Sequence, residues 1–143
     1  MNRVEFIVAP DGSTCLDIKV DGVRLQELAR RVELACATDE EEAEIAGGYD
    51  GLTPLHEVCW PSRHFLGEPA LSATDDGDTV LLGCDCGLWG CWPLVARVEV
   101  AAATVTWRDF KNPYREAWDL SGIGPFEFQR AQYEASLRAT EQV

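Results

Sequence analysis

Two things are scarce in this chain: long apolar runs and positive charge. No stretch approaches the ~20 apolar residues that a membrane-spanning helix requires, and Lys and Arg together number 12 against 25 Asp and Glu, leaving a net charge of −13. Affinity for phosphate backbones comes mainly from Lys and Arg, so nucleic acid is excluded as an expected partner. A polyanion is equally unsuited to anionic lipid. The opening residues, Met1-Asn2-Arg3-Val4-Glu5-Phe6, carry charge at once and lack an apolar signal core, which makes the cytoplasm the expected compartment.

Catalytic motifs are also missing. There is no G-x-S-x-G elbow and no phosphate-binding loop. His56-Glu57 begins like the H-E-x-x-H of zinc proteases, but Trp60 stands where the second histidine belongs. A cysteine nucleophile needs a histidine within hydrogen-bond reach, and the sequence sets neither His56 nor His64 beside a thiol. The expectation is therefore a protein that is not an enzyme. The chain of 143 residues has the length of one domain, with 46% hydrophobic and 26% charged residues, as in ordinary globular proteins.

What is present is concentrated in Gly83-Cys84-Asp85-Cys86-Gly87-Leu88-Trp89-Gly90-Cys91-Trp92. Stable disulfides are rare in a reducing compartment. Thiols there are free, metal-bound or redox-active. Structural zinc takes four Cys or His ligands in a tetrahedron. This loop supplies Cys84, Cys86 and Cys91, and its glycines let the backbone fold tightly. The fourth ligand is sought in the irregular segment that precedes it, with His64 first and Cys59 or His56 behind it; Asp85 is a weaker local candidate. A strong zinc signature would be a pair of C-x-x-C spacings, which the chain lacks. The competing reading is that the thiols pack under Trp89 and Trp92. A redox pair is disfavoured because Asp85 is adjacent and the nearest basic residue in sequence is Arg97. Cys15, Cys36 and Cys59 are scattered and read as small buried apolar groups. Among the tryptophans, Trp107 reads as core, and Trp89 and Trp92 as exposed.

Periodicity supplies the architecture. Val4, Phe6 and Val8, then Leu16, Ile18 and Val20, alternate with polar neighbours around the turn Ala9-Pro10-Asp11-Gly12-Ser13. This predicts an antiparallel hairpin with one buried face. Leu25, Leu28, Ala29, Val32 and Cys36 follow helical spacing over about 23–36, with Glu33 on the polar side. Thr38-Asp39-Glu40-Glu41 has the form of a capping box opening a second, short helix that Gly47-Gly48 would end. The proline-broken stretch 49–77 predicts a packed loop near the cysteines. Residues 79–83, 94–100 and 104–108 predict a three-stranded meander, with the cysteines on its first connection. A bend at Gly122-Ile123-Gly124-Pro125 leads to alternating Phe126 and Phe128, then a helix over 129–140. The expected fold is α+β: a mainly antiparallel sheet, made of the N-terminal hairpin and the C-terminal meander, with helices packed on one face.

Cys84-x-Cys86-Gly87-x-x-Gly90-Cys91-Trp92, Trp107-x-Asp109-Phe110 and Trp118-Asp119-x-Ser121-Gly122-x-Gly124-Pro125-Phe126-x-Phe128 together resemble motifs of a group of small uncharacterised bacterial proteins. The resemblance covers about residues 80–135 and implies a shared fold there; it implies no activity. Two functions follow from the residues. The first is an acidic interaction module for a basic protein, in the manner of an immunity protein. The alternative is a zinc-binding or thiol-dependent protein centred on Cys84, Cys86 and Cys91.

Overall fold

The alternating N-terminal segments pair as their pattern requires. The computed structural model describes residues 1–8, 16–52, 58–73, 77–86 and 88–141. In it β1 (Val4–Val8) lies antiparallel to β2 (Leu16–Val20) with Val4 opposite Val20 and Phe6 opposite Ile18. Val4, Phe6, Leu16, Ile18 and Val20 are buried. The turn expected at residues 9–13 lies outside the described residues. A third strand, β3 (Val23–Arg24), follows across Asp21 and Gly22, whose φ values of 53° and 83° make a tight two-residue turn.

Helix α1 (Leu25–Asp39) is longer than its apolar spacing suggests. It carries through Thr38, so no capping box forms there. The Thr38 hydroxyl instead donates back to the carbonyl of Leu34 at 2.7 Å. The short helix expected after it is a single 3-10 turn at Ala43–Ile45. Glu33, assigned by pattern to the polar face, is fully buried. It accepts hydrogen bonds from the Tyr49 hydroxyl and, at 2.9 Å, from the Gly47 backbone N–H. Burial raises its pKa above 4.5.

The second sheet has the order β4-β5-β6-β7-β8, all antiparallel. Its strands are β4 (Tyr49–Asp50), β5 (Thr79–Cys84), β6 (Leu94–Val100), β7 (Thr104–Lys111) and β8 (Phe126–Gln129). The three predicted meander strands form its centre. The hairpin strands form a separate three-stranded sheet instead of joining it. Asp109 sits at a bulge in β7 with φ 57°, a left-handed conformation that Asp tolerates better than most residues.

Helix α2 (Arg130–Arg138) joins the two sheets. It covers the free edge of β1, where the N–H of Val4 donates to Gln132 Oε1 at 3.1 Å and that of Phe6 to Ser136 Oγ at 2.9 Å. An edge strand bonded in this way offers little to a stray strand. On the helix's inner face Tyr133 is fully buried. Its hydroxyl donates to the Phe65 carbonyl at 2.6 Å and accepts from Trp107 Nε1 at 3.1 Å. Phe6, Phe65, Trp107, Phe128 and Tyr133 form one aromatic cluster, with Phe6–Phe65 and Trp107–Phe128 ring centroids 5.0 Å apart. Trp107 is thus core, as its strand position predicts. No helix among the described residues is long and apolar enough to cross a membrane.

Candidate metal centre

Strand pairing fixes the first thiol. Cys84 ends β5 opposite Tyr49, and Gly83 lies opposite Asp50. Asp85 and Cys86 then turn the chain outward. A 3-10 turn, Trp89–Cys91, returns it toward β6. Gly83 permits this return. A Cβ there would lie 2.7 Å from Trp89 Cα and 2.8 Å from Trp89 Cβ, so a side chain at 83 would push the turn away. The Asp85 N–H donates to the Gly48 carbonyl at 3.3 Å and the Cys91 N–H to the Leu88 carbonyl at 3.0 Å, which hold both ends of the loop.

The sulfurs of Cys84, Cys86 and Cys91 all lie within 4.8 Å of one another. In a tetrahedral zinc site with Zn–S bonds of about 2.3 Å, sulfurs stand roughly 3.8 Å apart. The three thiols therefore need to close by an ångström at most. Cys84 is half-buried, whereas Cys86 and Cys91 are exposed. The electrostatics separate them. Burial pushes the Cys84 thiol up to about 11, and the neighbouring Cys86 and Cys91 sulfurs add to it. Cys86 moves the other way, chiefly because the Leu88 backbone N–H donates to its sulfur and secondly because the Cys84 thiol does. Cys84 therefore holds its proton in competition with a metal ion, whose binding releases it.

The other predicted ligands are elsewhere. His64 does not join the three sulfurs. It is fully buried, with Nε2 2.8 Å from the Val80 carbonyl and Nδ1 accepting from the N–H groups of Ala70 at 3.1 Å and Leu71 at 3.3 Å. Both ring nitrogens thus fasten residues 70–71 to β5. Cys59 is buried in the core and is outside the sulfur group. Asp85 Oδ1 lies 3.8 Å from Cys84 Sγ but is also outside that group. His56 and Cys15 lie outside the described residues.

A groove of about 330 Å³ opens beside the thiols, with Cys84 and Cys91 in its wall alongside Glu42, Glu44, Asp85 and Arg115. Arg115 is the basic neighbour that sequence distance concealed. Arg97, nearer in sequence, faces Asp109 instead at 3.9 Å. The Arg115 guanidinium lies 5.0 Å from the Trp92 ring centre and 5.9 Å from that of Trp118. It also pairs with Glu40 at 3.3 Å and Glu42 at 3.5 Å. Trp92 stacks on Tyr114 with centroids 6.3 Å apart and meets Trp118 edge-on at 6.1 Å. The Trp118 indole N–H donates to Glu40. The cysteine loop and the Trp118 segment, separate motifs in the sequence, thus meet through Trp92 and Trp118. Trp92 is only half-buried, while Trp89 is exposed, as its glycine-rich setting predicts. No family model, curated protein or solved structure matches the chain.

Proposed function

We propose that this protein binds a thiophilic metal ion, zinc before others, through Cys84, Cys86 and Cys91. The observation that supports this is the convergence of three sulfurs within 4.8 Å. Packing does not account for that convergence, because Cys86 and Cys91 are exposed and solvent-facing thiols gain little from one another. Thiolates suit zinc and copper(I) over hard cations. The protein folds its core around the aromatic cluster, so the ion serves the loop and groove instead of nucleating the fold.

Zinc competition titration of protein purified under reducing conditions tests this. One equivalent per chain is expected. Cys86→Ser should weaken binding by at least about tenfold, and Cys36→Ser should leave it unchanged. Equal zinc affinity in the native protein and Cys86→Ser would overturn the proposal.

A second reading, docking of a basic protein, draws support from Leu88 and Tyr114, which are 70% and 56% exposed, Tyr114 stacking on Trp92 of the groove wall. The Tyr114 hydroxyl donates to the Gly90 carbonyl at 2.9 Å and ties that patch to the cysteine loop. Apolar anchors beside an acidic wall suit a cationic partner.

A further inference from the structure

We infer that the groove beside the thiols receives an imidazole, which completes the coordination of the ion held by Cys84, Cys86 and Cys91. This rests on the metal-binding proposal above. Cys84 and Cys91 both belong to the groove wall, so a ligand in the groove reaches an ion between the sulfurs directly. Zinc with three protein ligands takes a fourth from water or an incoming molecule. The Asp85 carboxylate lies outside the group of converging ligand atoms, which leaves the fourth position to an incoming molecule.

Charge selects the class of ligand. A divalent ion on three thiolates keeps a net negative charge. The wall adds Glu42, Glu44 and Asp85 against Arg115, which is itself paired with Glu40 and Glu42. This field disfavours carboxylate and phosphate donors. An amine is protonated near neutral pH and must lose a proton before it can coordinate. Imidazole is largely neutral there, and its nitrogen is an established partner for zinc. Binding exchanges one neutral ligand, water, for another, with no change of charge at the ion. Ile45 and Trp92 supply apolar wall for the ring carbons, and a groove of about 330 Å³ accommodates a ring with a few attached atoms. Imidazole could arrive as a small molecule or as a histidine of a basic chain; both present the same donor.

Cobalt(II) is the probe, because its spectrum reports thiolate bonding and coordination separately. Protein loaded with one equivalent of Co²⁺ under anaerobic, reducing conditions is titrated with imidazole, with the blocked peptide acetyl-Lys-His-Lys-amide, and with acetate at matched ionic strength. A near-ultraviolet thiolate-to-cobalt band is expected on loading. Imidazole should then change the visible d–d bands saturably, while acetate at the same concentration leaves them unaltered. Peptide binding on the order of tenfold tighter than imidazole, weakened in Glu42→Gln/Glu44→Gln, assigns the ligand to a basic chain. Equal affinities assign it to a small molecule. A charge-transfer band with no response to imidazole, or an equal response to acetate, overturns this inference and leaves the metal site standing. Absence of the charge-transfer band overturns the metal proposal itself.

Discussion

Gly83→Ala tests the site without touching a ligand. The new methyl group would lie 2.7 Å from Trp89 Cα and 2.8 Å from its Cβ, whereas ordinary contact begins at 3.4 Å. Relief requires a retreat of about 0.7 Å. Gly83 is held in β5 by its pairing with Asp50, so the 3-10 turn at Trp89–Cys91 is the part that moves. That turn carries Cys91, and its retreat widens the sulfur triangle. A bound ion would draw the turn back and restore the clash. Overpacking of this kind costs about 1–3 kcal/mol; expressed in binding, that weakens zinc by about 5- to 150-fold. Gly90→Ala is the control, since a Cβ there meets nothing within 4 Å. Competition against a chromophoric chelator gives the affinities, and urea unfolding of the metal-free proteins gives their stabilities. If Gly83→Ala lost stability yet bound zinc as tightly as the native protein and Gly90→Ala, the link between strand, turn and thiol spacing would be refuted.

The buried His64 has its pKa lowered from 6.5 to about 4 by burial; its contribution to stability is present above pH 6.5 and is lost as pH falls toward 4, by about 3 kcal/mol. Urea unfolding across that range should show the loss in the native protein and a smaller one in His64→Gln, with zinc affinity unchanged. Glu33 acts with the opposite sign: its raised pKa gives stability that is present below pH 4.5 and is lost as pH rises through the raised value. Glu33→Gln should flatten that part of the profile, and an unaltered slope would argue against a buried carboxyl. Tyr133→Phe leaves Trp107 Nε1 and the Phe65 carbonyl without their shared partner. It should lower unfolding free energy by about 1–3 kcal/mol while metal binding stays intact.

Alternation made β1, β2 and β7 legible, because each buries mainly one face and the side-chain period of two survives in the sequence; β6 buries both faces over Leu94–Ala96 and alternates only from Arg97 to Glu99. The cysteine loop was legible for a different reason: its three thiols are neighbours in the chain as well as in space. The Asp21-Gly22 turn was also written in the sequence, as a strong hairpin signal, but the helical spacing that follows obscured β3. Thr38 misled because a Thr–x–x–Glu pattern caps a helix only where the helix starts; inside α1 the same hydroxyl bonds to Leu34. Burial of Glu33 could not be read, since its partners Tyr49 and Gly47 reach it through tertiary packing. Arg115 escaped notice for the same reason. It comes to the thiols from the segment after β7, and no periodicity reports a contact across that distance. His64 was the natural fourth ligand by residue type, yet a histidine whose two nitrogens both meet backbone groups is a fastener of the core.

The three thiols fall between residues 84 and 91, whereas the groove around them also draws on residues 42–48 and Arg115. The two parts therefore respond differently to unfolding. Closing so short a loop takes little chain entropy, so under the proposed metal binding the denatured chain would retain part of the affinity for a thiophilic ion. An ion stabilises a fold only by the difference between its affinities for the native and denatured chains. For this protein that difference would be the part of binding owed to groove, strand and turn. A tightly held ion would then raise the unfolding free energy by much less than its binding constant implies, and a chelator would empty the site while the aromatic core stays folded.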